Sequence, residues 1–170
     1  MTTSKPQTIE EFMAQALAME REAVQRYEEL ADAMEMANNR DVAKAFRTMA
    51  GYEAKHAQAI MEQMKWTVDP PVPAHAWSTA EAPEVVPNDE VHYLMQPWHA
   101  LELALAAEQR AEAFFDELAR TTSDDSVRRA AIELRDEETE HVAMVRKWMS
   151  RYPKPDADWA DDPDPPRYTE

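Results

Sequence analysis

The chain has 170 residues and a formal net charge of −16, from 34 acidic and 18 basic side chains. That balance lacks the basic footprint needed to hold nucleic acid or an anionic membrane surface, so neither is an expected partner. There is no cysteine, which excludes a disulfide framework, a thiolate metal site, an iron–sulfur cluster and a rubredoxin-type iron centre within the chain.

Composition narrows the class further. A single glycine, few β-branched residues and much Ala, Glu, Leu, Met and Arg predict an all-α protein, and the length suits one core. The first ten residues carry no apolar segment with basic flanks, and no apolar run is long enough to span a bilayer. The cytoplasm is therefore the expected location.

In chain order, residues 8–38 carry Phe12, Ala16, Met19, Ala23, Tyr27 and Leu30 at helical spacing, predicting an amphipathic helix. Thr8, with Glu11 three residues on, is its expected cap. After Asn38 and Asn39 a second helix is predicted to about residue 66, with Val42, Phe46, Met49, Ile60 and Met64 inward. The short turn implies an antiparallel hairpin. Between residues 68 and 97, Pro70, Pro71, Pro73, Pro83, Pro87 and Pro97 interrupt any long helix, and the stretch reads as a crossover. A third helix starts near Pro97, which suits a first helical turn, with Trp98, Leu101, Leu105, Phe115 and Leu118 inward. A turn over 121–125 and a fourth helix over 126–149, with Val127, Leu134, Val145 and Trp148 inward, complete a second hairpin. Residues 1–150 thus form a predicted four-helix bundle with its crossover at about 67–97. Residues 151–170, where Pro and Asp alternate around Trp159, are an acidic tail whose composition suits a disordered or surface-draped segment.

The two hairpins resemble each other. Residues 18–31 align without gaps on 106–119, and Glu53 with His56 matches Glu138 with His141, which points to an internal duplication. Positions i and i+3 share a helix face, so each Glu-x-x-His pair presents a carboxylate and an imidazole to one side. Both pairs replace apolar residues on an inward stripe, as Glu20 and Glu108 do on the first and third helices. One Glu from each of two helices plus Glu-x-x-His from each of the other two is the ligand pattern of di-iron and di-manganese bundles. Glu20, Glu53, His56, Glu108, Glu138 and His141 are therefore the candidate metal ligands, through which any catalysis would run. Tyr27 shares the face of Glu20, and its hydroxyl can reach a ligand carboxylate from outside the first coordination layer. Glu22, Glu28, Glu29, Glu117, Glu137 and Glu140 are read as solvated, and His75, His92 and His99 as surface residues.

These residues resemble the ferritin-like superfamily and, within it, the rubrerythrin group, over about residues 8–150. The resemblance implies a ferritin-like bundle holding two iron ions, with Glu53 and Glu138 as bridges and Glu20 and Glu108 as terminal ligands. It also implies a cytoplasmic homodimer or larger homo-oligomer, sometimes with exchanged hairpins, acting on peroxide or dioxygen. Two features depart from the group. Its usual four-cysteine rubredoxin domain is missing, so electrons would come from an external donor protein. Its additional glutamate, three residues after the third-helix ligand, is Ala111 here, and Glu112 points about 100° away around a helix.

Three functions stay open on the residues alone. The first is oxidoreductase chemistry on O₂ or H₂O₂ at two iron ions. The second is a ferroxidase or iron-handling protein that oxidises and stores or passes on Fe(II). The third is a metal-free interaction module, which requires Glu53, Glu138 and both histidines to be exposed or otherwise paired. Carboxylate and imidazole donors accept manganese as well as iron.

Overall fold

The computed structural model describes residues 5–72, 76–77, 79 and 81–165; His75 lies outside them. Four long helices, α1 (Ile9–Met36), α2 (Arg40–Met64), α3 (Pro97–Thr121) and α4 (Asp125–Met149), are joined with one short 3-10 turn at Asn88–Glu90, and the described residues contain no strand. The helices pack as two hairpins, α1 with α2 and α3 with α4. The result is an all-α four-helix bundle. No helix among the described residues is long and apolar enough to cross a membrane.

The boundaries follow from local chemistry. Thr8 caps α1 by accepting from the Glu11 amide at 3.2 Å, and Asp124 caps α4 by accepting from the Val127 amide at 2.9 Å. Such caps satisfy amides that have no intrahelical partner. Because the chain's one glycine, Gly51, lies inside α2, the left-handed positions that end helices fall to Asn38 (φ 58°) and Lys65 (φ 55°). Asparagine tolerates that region better than most residues.

Asn39 does two jobs. Its side-chain oxygen accepts from the Val42 amide at the start of α2, and its amide nitrogen donates to the Tyr93 and Met95 carbonyls at 3.2 and 2.7 Å. The latter contacts put the start of α3 beside the α1–α2 turn. The crossover, leaving α2 at the opposite end, must therefore travel the length of that helix, ~37 Å at 1.5 Å per residue. It climbs alongside α1: Gln15 donates to the Ala76 carbonyl, Glu22 accepts from the Ala82 amide, and Arg26 donates to the Val86 carbonyl. Arg110 of α3 grips the Pro83 and Val85 carbonyls from the other side at 2.7 and 3.1 Å. The crossover thus lies in the groove between α1 and α3. It is less polar than its prolines suggest, since Ala82, Val85, Val86 and Met95 are buried in the core.

His99 departs from its expected place on the surface. It is buried, its Nδ1 accepts from the Gln96 amide at 3.0 Å to cap α3, and Trp159 of the tail lies over it with ring centroids 3.8 Å apart. A residue at the third position of a proline-started helix faces back over the helix end. There the returning tail covers it.

The core divides into two apolar clusters. One contains Phe12, Leu17, Ala57, Ala111, Phe115 and Leu134. The other contains Tyr27, Phe46, Ala50, Leu101, Ala107 and Val145. Each helix passes from one cluster to the other, and at each crossing point stands one glutamate: Glu20, Glu53, Glu108 or Glu138. A polar layer is thereby sealed between two apolar plugs.

Candidate metal centre

All six candidate ligands converge in that layer. Glu20, Glu53 and His56 offer ligand atoms within 4.8 Å of one another, and so do Glu108, Glu138 and His141. The duplication seen in the sequence is a geometric near-repeat. His56 Nδ1 lies 3.2 Å from Glu53 Oε2 and 3.7 Å from Glu20 Oε2. In the second half His141 Nδ1 lies 3.0 Å from Glu138 Oε2 and 3.6 Å from Glu108 Oε2. The i, i+3 spacing produces the short contact within each helix, and the packing of α1 on α2 and of α3 on α4 produces the longer one. The two imidazole rings stack against each other, with centroids 4.2 Å apart and planes 7° from parallel.

A seventh residue joins them, and no helical period announces it. Glu84, in the crossover, is fully buried (0 % exposed), and its carboxylate falls within 4.8 Å of Glu20 and Glu138 and likewise of Glu53 and Glu108. The signal available in the sequence was the run Pro83-Glu84-Val85-Val86-Pro87, where two valines flag an inward-facing patch in a proline-rich connection. Tyr27 is also at the site: its buried hydroxyl is pushed well above its ordinary value by burial first and then by Glu108, Glu53 and Glu84. That hydroxyl makes no hydrogen bond to a ligand carboxylate. Glu112 turns away from the layer, as its helical position implies, and accepts from Thr139 Oγ1 at 2.6 Å. Glu137 is exposed on α4.

The electrostatics follow from burial. Loss of water raises Glu53 to about 8 and Glu138 to about 9; His56 and His141 oppose the rise, and Glu108 and Glu20 add to it. Glu84 is pushed well up by burial, with Glu20, Glu53, Glu138 and Glu108 all acting in the same direction. Burial opposes charge on the imidazoles too, yet the carboxylates outweigh it. His56 rises to about 11 beside Glu20 and Glu53, and His141 to about 10 beside Glu108 and Glu138. Glu108 differs from Glu53, Glu84 and Glu138: burial works against its charge, but His141 and Glu138 hold it below the ordinary value. Without a cation the layer limits its charge by holding protons.

The residues fit a pair of metal ions by a structural criterion. Glu20 Oε2, Glu53 Oε1, Glu108 Oε2 and both oxygens of Glu84 are buried with no hydrogen-bond donor. Buried acceptors are normally satisfied, and a cluster of unsatisfied ones is costly. Five carboxylates and two imidazoles form a donor set suited to iron or manganese. Two divalent cations would supply the missing positive charge.

The family model for rubrerythrin matches residues 11–152. A crystal structure of an uncharacterised conserved protein from Magnetospirillum magnetotacticum MS-1 is similar over 88 % of this chain and 98 % of that one, at 36 % identity and a TM-score of 0.63. No curated protein matches the chain.

Proposed function

The chain belongs to the rubrerythrin family, and we propose that it is a di-iron carboxylate protein that reduces peroxide or dioxygen with electrons from an external donor. The observation that carries this reading is the pair of near-identical Glu–Glu–His half-sites in one buried layer, where oxygens of Glu20, Glu53 and Glu108 lack donors. The metal-free interaction module fares worse, because it leaves Glu20, Glu53, Glu84, Glu108 and Glu138 buried without a cation.

In this reading Glu20, Glu53 and His56 would hold one iron and Glu108, Glu138 and His141 the other. A reduced iron pair, when bound, supplies one electron per metal to an O–O bond. Reducing H₂O₂ to two waters also takes two protons; the buried Tyr27 hydroxyl, pushed well above its ordinary value, keeps its own proton beside the layer. His56 and His141 must surrender their Nδ1 protons to become ligands. The apolar plugs around Phe12 and Phe115 on one side, and Tyr27 and Phe46 on the other, keep bulk water from both ends of the layer. Access is from the α2–α4 face, where the side chains of His56 and His141 remain 23 % and 15 % exposed.

The test is anaerobic loading with Fe(II), reduction, and stoichiometric then excess H₂O₂. Fast reoxidation with repeated turnover under a supplied reductant supports peroxide reduction, and a single sluggish turnover refutes it. Iron handling is the competing reading, favoured by the net charge of −16, which concentrates cations at the surface. It requires uptake of many irons per chain, whereas the peroxidase reading stops at two.

A further inference from the structure

We infer that Glu84 is a seventh protein ligand, shared by both metals and delivered by the crossover, so that metal loading fastens the crossover to the bundle. The inference rests on the two-metal reading above and adds a residue that lies on no helix. It begins with where Glu84 stands. Ala82 and Val85 pack in one apolar cluster and Val86 in the other, so Glu84 enters the polar layer at the same level as the helix-borne glutamates. Its carboxylate reaches within 4.8 Å of ligand atoms from both half-sites, in one group with Glu20 and Glu138 and in another with Glu53 and Glu108. No other candidate ligand joins two groups that each span both halves of the duplication.

The protein holds this position deliberately at the level of the backbone. Val85 closes a tight turn by donating to the Ala82 carbonyl at 3.1 Å. Around that turn Arg110 grips the Pro83 and Val85 carbonyls, Arg26 the Val86 carbonyl, and Glu22 the Ala82 amide. Two guanidiniums are therefore placed around that turn, and both are engaged elsewhere, Arg110 by backbone oxygens and Arg26 by the Val86 carbonyl and the Glu81 and Glu29 carboxylates. Neither meets the carboxylate, whose two oxygens are buried without any partner. A structural carboxylate would be expected to take one of those guanidiniums. An acceptor pair left open toward four other carboxylates is what a cation ligand requires. The crossover lies in the α1–α3 groove while the imidazoles come from α2 and α4, so Glu84 closes the layer on the side away from the histidines.

The experiment uses the full chain and Mn(II) as a redox-stable probe, with free Mn(II) counted by EPR against equilibrium dialysis. Wild-type protein should bind two Mn(II) per chain. Glu84→Gln, which keeps the side-chain volume but removes the anionic ligand, should weaken that binding ~10–100-fold or more, the range seen even for groups that only support ligands. Equal affinity in the variant and the wild type would overturn the inference while leaving the two-metal reading intact. A wild-type protein that binds no Mn(II) or Fe(II) would sink both. Should Glu84→Gln fail to fold, hydrogen exchange on the wild type decides: Mn(II) should slow exchange of the amides at residues 82 and 84–86, and unchanged exchange there in metal-loaded protein refutes the inference.

Discussion

Replacing Glu138 by Gln should stabilise the metal-free protein and weaken its hold on metal. In the folded chain burial raises Glu138 to about 9, against an ordinary 4.5. At pH 7 the unfolded chain holds this side chain ionised, and the folded metal-free chain holds it protonated. Taking up that proton against pH 7 costs about 3 kcal/mol, from 1.36 kcal/mol per pH unit over the gap above 4.5. Gln is neutral in both states and avoids the cost. For a protein of this size each kcal/mol moves the Tm by ~2–4 °C, so the metal-free variant should melt roughly 6–12 °C higher. The sign fixes a pH dependence as well. A group whose pKa is higher folded than unfolded binds more protons in the native state, so the wild type loses stability as pH rises from about 4.5 toward 9. At pH 5 the advantage of the variant should therefore fall below about 1 kcal/mol.

Loading narrows that gap. At a free Mn(II) concentration near 100 times Kd, one site contributes about 2.7 kcal/mol, and a tenfold weaker site contributes about 1.4 kcal/mol. Calorimetric melts of EDTA-treated protein at pH 7 and pH 5, with and without Mn(II), measure all four quantities. A metal-free variant that melts no higher than the wild type at pH 7, or Mn(II) stabilisation equal in both, would refute the account of a carboxylate placed for a cation.

Two further outcomes are expected. Because His56 and His141 sit at about 11 and about 10, both carry a proton at neutral pH that a metal must displace; Mn(II) calorimetry in buffers of different ionisation enthalpy should show release of at least these two protons per chain, with affinity rising between pH 6 and pH 8, and no release would contradict the geometry. Asn39→Ala should lower the urea midpoint by the equivalent of ~1–2 kcal/mol, since it removes both the α2 cap and the tie to the Met95 carbonyl, whereas Asn39→Asp, which keeps the cap and loses the donor, should recover part of the loss.

The part of this protein that repeats with a helical period was legible in its sequence. Inward stripes located four helices to within a few residues of their bounds, because an i, i+3, i+4 pattern is one face of a helix wherever that helix later packs. The same rule pointed Glu20, Glu53, His56, Glu108, Glu138 and His141 inward, and the duplication made them two halves of one layer. Tertiary structure decided everything that has no period. Glu84 lies in a connection whose inward side is set by two arginines holding its backbone, and His99 is buried by a tail that returns from beyond α4. Tyr27 shows the same division: its face was readable, but whether its hydroxyl meets a carboxylate depends on the spacing between helices, which no single helix encodes. Sequence periodicity carries the direction of a side chain within its own element. The distances between elements, on which a shared metal layer depends, come only from packing.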